Sequence, residues 1–410
     1  MAVGPAEKRL LGVSGEQWAL LAALPLNQAA NIALFTVLGP FRGEFGLSYV
    51  ELGAVLASYG MARFAMDIPA GILIRRIPIR GALVAGLAVN LLAAIWPLAA
   101  NAAWQVVAAR AVQGVASSIV QAAILAWLII GAHNASRGRV MALSEALFST
   151  VGLIVPLATG ALAAWLSWRA AFACGTVAAA AACLAVLAGT RAASAPATTT
   201  GDTEQRRSDV RRSFRVGGGT LLAAYLLAFI VAFSRFGMLN TLLPVIGSDQ
   251  IGLTPIQVGF GLTLANVAGI GVLMIGGWAG DRFGRRRLAT PGLALLVVCQ
   301  CALFLIAGRT TYFLVVTVQG LAFFMNSFPT SLLGDALPPE LRSIGVAGYR
   351  LMTDAAVLAA PLVVGAASDW RGFDAAKTLT VAVTLLAFGL VWMCMRGRLQ
   401  AVDAAKVEIV

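Results

Sequence analysis

Residues 255–307 read PIQVGFGLTLANVAGIGVLMIGGWAGDRFGRRRLATPGLALLVVCQCALFLIA. Two apolar stretches, about 255–279 and 288–307, flank a turn that crowds Asp281, Arg282, Arg285, Arg286 and Arg287 together. A hydrocarbon layer of ~30 Å is crossed by a helix of roughly 20 apolar residues, and each stretch is that long. Backbone polar groups in lipid must be satisfied within the segment itself, so the stretch reads as two membrane helices joined by a charged turn.

The same pattern extends in both directions. Before it lie apolar segments near 17–38, 49–73, 81–100, 103–130, 139–163, 168–189 and 219–246, and after it segments near 310–333, 343–368 and 375–395. Hydrophobic residues make up 60% of the 410 and charged residues 12%, with mean hydropathy +0.86. A soluble domain carries about 25% charged residues, so composition excludes one of ordinary type. Residues 190–217, TRAASAPATTTGDTEQRRSDVRRSFRVG, lack apolar periodicity and bury too little to fold alone. The expected organisation is an N-terminal tail over 1–16, a six-helix bundle over 17–189, a linker over 190–217, a second six-helix bundle over 218–395 and a C-terminal tail over 396–410. The fold class is an all-α membrane protein with twelve transmembrane helices in two pseudo-symmetric bundles.

Charge sets the expected orientation. If both termini are cytoplasmic, nearly all loop Lys and Arg residues fall on that side, and only Arg42, Arg169, Arg309, Arg371 and Lys377 lie opposite. The positive-inside rule favours that arrangement, in a bacterial inner membrane. The net charge of +12 then points to anionic lipid headgroups rather than nucleic acid, because the basic residues sit in the breaks between segments. The polar first sixteen residues run straight into a long apolar segment, which reads as a retained first helix. Cys174, Cys183, Cys299, Cys301 and Cys394 all fall in apolar segments without a CxxC, and His133 stands alone, so no metal site or other cofactor is expected.

An internal repeat supports two halves. At an offset of 206, Gly46, Leu47, Gly53, Gly71, Arg76, Arg80, Gln113 and Gly114 recur as Gly252, Leu253, Gly259, Gly277, Arg282, Arg286, Gln319 and Gly320. At 205, Arg137, Pro156 and Gly160 recur as Arg342, Pro361 and Gly365.

In the turn between the 255–279 and 288–307 segments, Gly277, Asp281, Arg282, Gly284, Arg285 and Arg286 form GxxxDRxGRR. The chain resembles the major facilitator superfamily, whose loop signature this is, from end to end. Glycine at 277 would permit close helix packing, Asp281 would pair with a base or a helix N-terminus, and the arginines would hold the turn at the headgroups. The first half retains Gly71, Arg76 and Arg80, but Arg75, Pro78 and Ile79 replace the Asp, the Gly and the first terminal Arg. The lock that this motif forms in relatives is therefore expected to be altered there.

Three further features bear on mechanism. Arg110, Gln113 and Gly114 in RAVQG match a looser family signature whose arginine the resemblance ties to proton coupling, and an intramembrane arginine is a functional candidate by default. The alternative is a structural arginine satisfied by carbonyls and by side chains such as Asn31. GLIVPLATG, with Gly152, Pro156 and Gly160, is a degenerate form of an exporter motif and equally fits a proline kink packed by small residues. Arg63 and Asp67 in the second segment, and Arg350 and Asp354 in the eleventh, lie four residues apart at matching depths. The resemblance implies that those two segments meet, so a two-rung gate is expected, Asp67 with Arg350 and Arg63 with Asp354. Two pairs each within one helix are the alternative. Glu145 is a further proton candidate, unless it reaches the headgroups.

The resemblance implies a central cavity lined by the first, fourth, seventh and tenth segments, which supply Asn27, Gln28, Asn31, Arg110, Gln113, Arg235, Asn240, Gln319, Asn326 and Ser327. The implied function is secondary transport of a small molecule by alternating access, as a proton-coupled exporter of a drug-like compound or metabolite. The alternative is an importer or exchanger of organic anions using Arg110 and Arg235, and a non-transporting receptor on the same fold is a third reading. No nucleophile with its base, metal cluster or phosphate loop marks an enzyme; Gly217 to Gly219 lack a following Lys. Nothing in the sequence demands more than a monomer.

Overall fold

A computed structural model describes residues 15–131, 137–190 and 203–407. Its α-helices, in order, are α1 (Gly15–Ile32), α2 (Leu38–Phe45), α3 (Tyr49–Arg76), α4 (Ile79–Ile95), α5 (Ala103–Gly131), α6 (Arg137–Trp165), α7 (Trp168–Gly189), α8 (Thr203–Phe233), α9 (Leu243–Val245), α10 (Pro255–Phe283), α11 (Arg285–Cys301), α12 (Arg309–Gly320), α13 (Phe328–Ala336) and α14 (Arg342–Val407). The described residues contain no strand. Nine stretches among them are long and apolar enough to cross a membrane, and the longest, Pro339–Met395, bends at Arg371 and Gly372 into two rods. With α3 and α6, whose 28 and 29 residues reach ~40 Å at ~1.5 Å per residue, these rods agree with two sets of six. Residues 203–217 are helical and run to a kink at Gly218. Between α8 and α9 the helix widens to π geometry over Ser234–Leu242, and again over Ile246–Gln250.

The chain divides into two compact units. The first holds Met1–Phe45, Ser58–Thr199 and Thr254–Thr263; the second holds Gly46–Ala57, Thr200–Leu253 and Leu264–Val410. Each sequence half thus lends the first turns of one helix, α3 or α10, to the other unit.

In the first unit α1 packs on α7 and α4 on α5 around Leu20, Leu21, Leu83, Leu87, Val120, Ile124 and Val186. In the second, α14 packs on α8 around Leu227, Ile230, Leu293, Leu296, Phe328, Leu332 and Ala360. Large apolar side chains such as Trp165, Met274 and Leu386 are left exposed on helix surfaces, as expected where lipid rather than water is the solvent.

The repeat is visible in the backbone. Gly46 and Gly252, 206 apart, precede α3 and α10 with φ of 62° and 72°, a conformation that glycine adopts without steric cost. A Cβ on Gly114 would collide with the Tyr59 carbonyl oxygen, and one on Gly320, 206 residues later, with the Ala265 carbonyl oxygen. The same helix crossing is built once in each unit.

Candidate functional site

The first unit gathers polar side chains from four helices. On α5, Arg110, Gln113, Ser117 and Gln121 recur at helical spacing and share a face. Tyr59 and Arg63 lie one turn apart on α3, and Asn27, Gln28 and Asn31 lie within one turn on α1. The glycine at 114 brings α5 against the α3 backbone at Tyr59, which lets the phenol ring slide beneath the Arg110 guanidinium at 4.8 Å.

Tyr59 is the hub. Its hydroxyl lies 3.0 Å from Ser117 Oγ, accepts from Asn31 Nδ2 (3.3 Å) and from Arg63 Nη1 (3.3 Å), and sits 3.4 Å from Gln28 Oε1. Arg63 Nη2 donates to Gln121 Oε1 at 2.9 Å. Asn31 Nδ2 also donates to Gln28 Oε1 at 2.9 Å, and Asn90 Nδ2 on α4 to Asn27 Oδ1 at 2.9 Å.

Arg110 is only 2% exposed. Its Nη1 donates to the Asn31 carbonyl oxygen at 3.1 Å and to Gln113 Oε1 at 3.3 Å. Both acceptors are neutral, and no carboxylate pairs with it among the described residues. Arg110 Nε, Gln113 Nε2 and Asn31 Oδ1 are buried without a hydrogen-bond partner. A cation withdrawn from water costs several kcal/mol unless paired, and a cation–π contact returns only ~0.5–2 kcal/mol. The arrangement therefore holds donor capacity and positive charge suited to an anion.

The second unit holds a cavity lined by Val231, Ser234, Arg235, Leu239, Leu296, Gln319, Ala322, Phe323 and Asn326. Arg235 lies within the π-helical turn, and its guanidinium carbon lies 4.7 Å from the centre of the Phe323 ring. Single π turns recur at functional sites because the extra residue per turn re-aims side chains. Gln300 Nε2 donates to Ser234 Oγ, and Gln319 Nε2 to the Cys299 carbonyl oxygen, so Gln319 is engaged with α11. Asn240 is half-buried and is not among the lining residues.

At the turn between α10 and α11, Gly284 takes φ 85° and caps α11, and the exposed Arg282 lies against the Trp278 and Phe283 rings. The side chains of Asp281, Arg285, Arg286 and Glu145 lie outside the described residues, as does His133. The close packing expected at Gly277 is not found: a Cβ there, or at Gly71, would meet nothing within 4 Å among the described residues. In the first half Arg76 is exposed, while Arg80 Nε donates to Thr190 Oγ1 at 3.2 Å and Nη2 reaches the Leu187 carbonyl oxygen at 3.5 Å. A cation at the last carbonyls of a helix complements its dipole, so Arg80 ties α4 to the end of α7. Arg63 and Asp67 belong to the first unit and the half-buried Arg350 and buried Asp354 to the second.

Sequence reading missed Tyr59, Ser117 and Gln121. The signal was present, since Tyr59 precedes Arg63 by one turn, and Ser117 and Gln121 follow Arg110 by two and three turns on one face.

The fold has parallels among solved structures. A bacterial homologue of the human lysosomal transporter Spinster, solved inward-facing and unoccupied, superposes with a TM-score of 0.80 at 16% identity, over 94% of this chain and 97% of that one. Its occupied, inward-facing form gives 0.75, also at 16% identity, over 93% and 96%. A structure of the nucleoside transporter NupG gives 0.72 at 14% identity, over 93% and 99%. These likenesses show a shared fold. No curated protein matches in sequence. The sequence model of the Major Facilitator Superfamily matches residues 20–263 and 225–407. With the polytopic helical fold, the internal repeat and a match to nearly the whole chain, this integral membrane protein is a transporter of small molecules belonging to the major facilitator superfamily.

Proposed function

We propose that the chain carries a small organic molecule bearing a negative charge, by alternating access, with Arg110 and Arg235 as its anion-recognising groups. The observation that carries this reading is the Arg110 guanidinium, buried against a tyrosine ring and two neutral oxygens with its Nε unpartnered. A buried donor left unsatisfied costs roughly 1–3 kcal/mol. A carboxylate or phosphate oxygen accepting from Nε and from Gln113 Nε2 would recover that cost on binding. Arg235, stacked on Phe323 beside Asn326, supports the reading by offering a second cation with an apolar platform. The concentration of Lys and Arg in the loops assigned to one side supports placement in a bacterial inner membrane with both termini cytoplasmic.

Ligand-dependent thermal stability tests the proposal. A ligand that binds only the folded protein raises stability by RT ln(1 + [L]/Kd), ~2.7 kcal/mol at a hundredfold excess over Kd. Organic anions should raise the melting temperature of the purified protein, and Arg235→Ala should lose that rise. Stabilisation by lipophilic cations alone would remove the proposal.

Proton-coupled export of a drug-like compound is the second reading. Asp354, only 2% exposed on α14, favours it as a carboxylate placed where proton binding and release would have structural consequences.

A further inference from the structure

The first four N–H groups of a helix lack partners within it, and α3 and α10, its repeat counterpart, solve that problem differently. On α3 the local solution is a capping box: Ser48 N donates to Glu51 Oε2 at 2.8 Å, and Glu51 N to Ser48 Oγ at 3.2 Å. That leaves the first two helical amides. Both are taken by one distant carboxylate: Tyr49 N donates to Asp369 Oδ1 at 2.9 Å and Val50 N to Asp369 Oδ2 at 2.7 Å.

Around this bidentate contact the helices cross closely. A Cβ on Gly53 would strike the Pro361 carbonyl oxygen, and one on Gly365 the Tyr49 carbonyl oxygen. The Tyr49 ring meets Phe373 edge-on at 5.1 Å, and its hydroxyl reaches Asp249 Oδ2 at 3.3 Å. All these residues belong to the second unit.

The first unit contains the same crossing at offsets of 205 and 206. A Cβ on Gly259 would strike the Pro156 carbonyl oxygen, and one on Gly160 the Pro255 carbonyl oxygen. Here, however, no carboxylate takes the first amides of α10 among the described residues, and part of the turn is capped from within. Proline at 255, its first residue, has no N–H to satisfy, and Thr254 N donates to Gln257 Oε1 at 3.0 Å. The position matching Asp369 is Ala164, and Thr263 Oγ1, bonded to the Leu153 carbonyl oxygen at 3.0 Å, is a polar tie between these helices.

We propose that Asp369 is a releasable latch on the first turn of α3, and that the two matching crossings are held unequally. Separation of residues 46–57 from 361–373 uncovers two helix amides and a carboxylate at once. Separation of 254–263 from 153–160 uncovers a self-capped terminus. An alternating-access cycle that parts both crossings therefore meets its larger resistance at Asp369.

Hydrogen exchange of the full-length protein in nanodiscs, read by mass spectrometry over peptides covering 46–57 and 254–263, tests the latch. Losing a helix cap costs ~1 kcal/mol, about a fivefold change in an opening equilibrium. In Asp369→Ala, and to a smaller extent in Asp369→Asn, exchange in 46–57 should rise about that much while 254–263 stays at the parent rate. Asp369 is exposed, so neither variant removes packing. Tyr49→Phe, which loses the hydroxyl bond to Asp249 and keeps the backbone amide held by Asp369, should leave both peptides near the parent rate. Unchanged exchange in 46–57, or an equal rise in both peptides, overturns the proposal, as does a Tyr49→Phe effect as large as that of Asp369→Ala.

Discussion

The guanidinium carbon of Arg110 stands 4.8 Å from the centre of the Tyr59 ring, while Arg63 Nη1 donates to the hydroxyl of the same residue. One phenol therefore joins two arginines. It answers Arg110 with its π face and Arg63 with its oxygen, and it passes that oxygen on to Ser117 and Asn31. Any change at residue 59 is felt at both cations.

Tyr59→Phe and Tyr59→Leu separate those two functions. Phe keeps the ring beneath Arg110 and loses the hydroxyl, which should cost at least about 0.5–1.5 kcal/mol, the net value of a single hydrogen bond, because four side chains meet that oxygen. Leu also gives up the cation–π contact, ~0.5–2 kcal/mol more. Thermal unfolding should rank the parent above Phe and Phe above Leu. Equal stability of all three would show that the ring does not support Arg110.

Glycine contacts give a second series. Gly114→Ala and Gly320→Ala each drive a Cβ into a backbone carbonyl and should lose about 1–3 kcal/mol by overpacking. Gly71→Ala, which meets nothing within 4 Å, should be neutral or gain up to about 1 kcal/mol of helix propensity. Melting temperatures of the three variants distinguish the outcomes.

Glu44 supplies a pH dependence. It accepts from Arg169 at 2.7 Å and from the Trp168 indole, and these bonds, the Arg169 one foremost, hold its carboxyl below the ordinary value of 4.5. A depressed folded-state pKa contributes stability above 4.5 that disappears as pH falls through the lower folded value. Both partners are about one-third exposed, so the contribution is of the order of 0.2–1 kcal/mol. Lowering the pH from about 6 to about 3 should destabilise the parent more than Glu44→Gln. Parallel pH profiles would show that Glu44 is not the group responsible.

Arg80→Ala should loosen the junction of α4 and α7. Its bonds to Thr190 and the Leu187 carbonyl end α7, and a cation at a helix C-terminus is worth about 0.3–1 kcal/mol. Faster hydrogen exchange over 183–190 is expected, with Arg76→Ala, whose side chain is exposed, as the matched control.

Segment length and hydropathy made the helical membrane fold legible, and the offset of 206 made its two-fold repeat legible down to Gly114 and Gly320. The site was legible in part. Arg110, Gln113 and Asn31 stood out because charge and amide groups are costly in an apolar run. Tyr59 did not, because an aromatic residue in such a run reads as packing until its hydroxyl is seen to lie beside Ser117 and Arg63. The π turn around Arg235 was invisible for another reason: widening leaves no mark on apolar periodicity over so short a stretch. Asp369 was unreadable because its partners are backbone amides some 320 residues away, and no side-chain pattern encodes them.

In the proposed function Arg110 and Arg235 recognise a negative charge on the cargo. Counterflow uptake in proteoliposomes tests it most directly, comparing organic anions with lipophilic cations in the parent, Arg235→Ala and Arg110→Gln. Saturable uptake of one or more anions is expected, lowered about tenfold or more in both variants, as for loss of a charge-assisted hydrogen bond worth ~1.5–3 kcal/mol, with Arg235→Ala still folded. Uptake confined to cations, at the parent rate in Arg235→Ala, would contradict it.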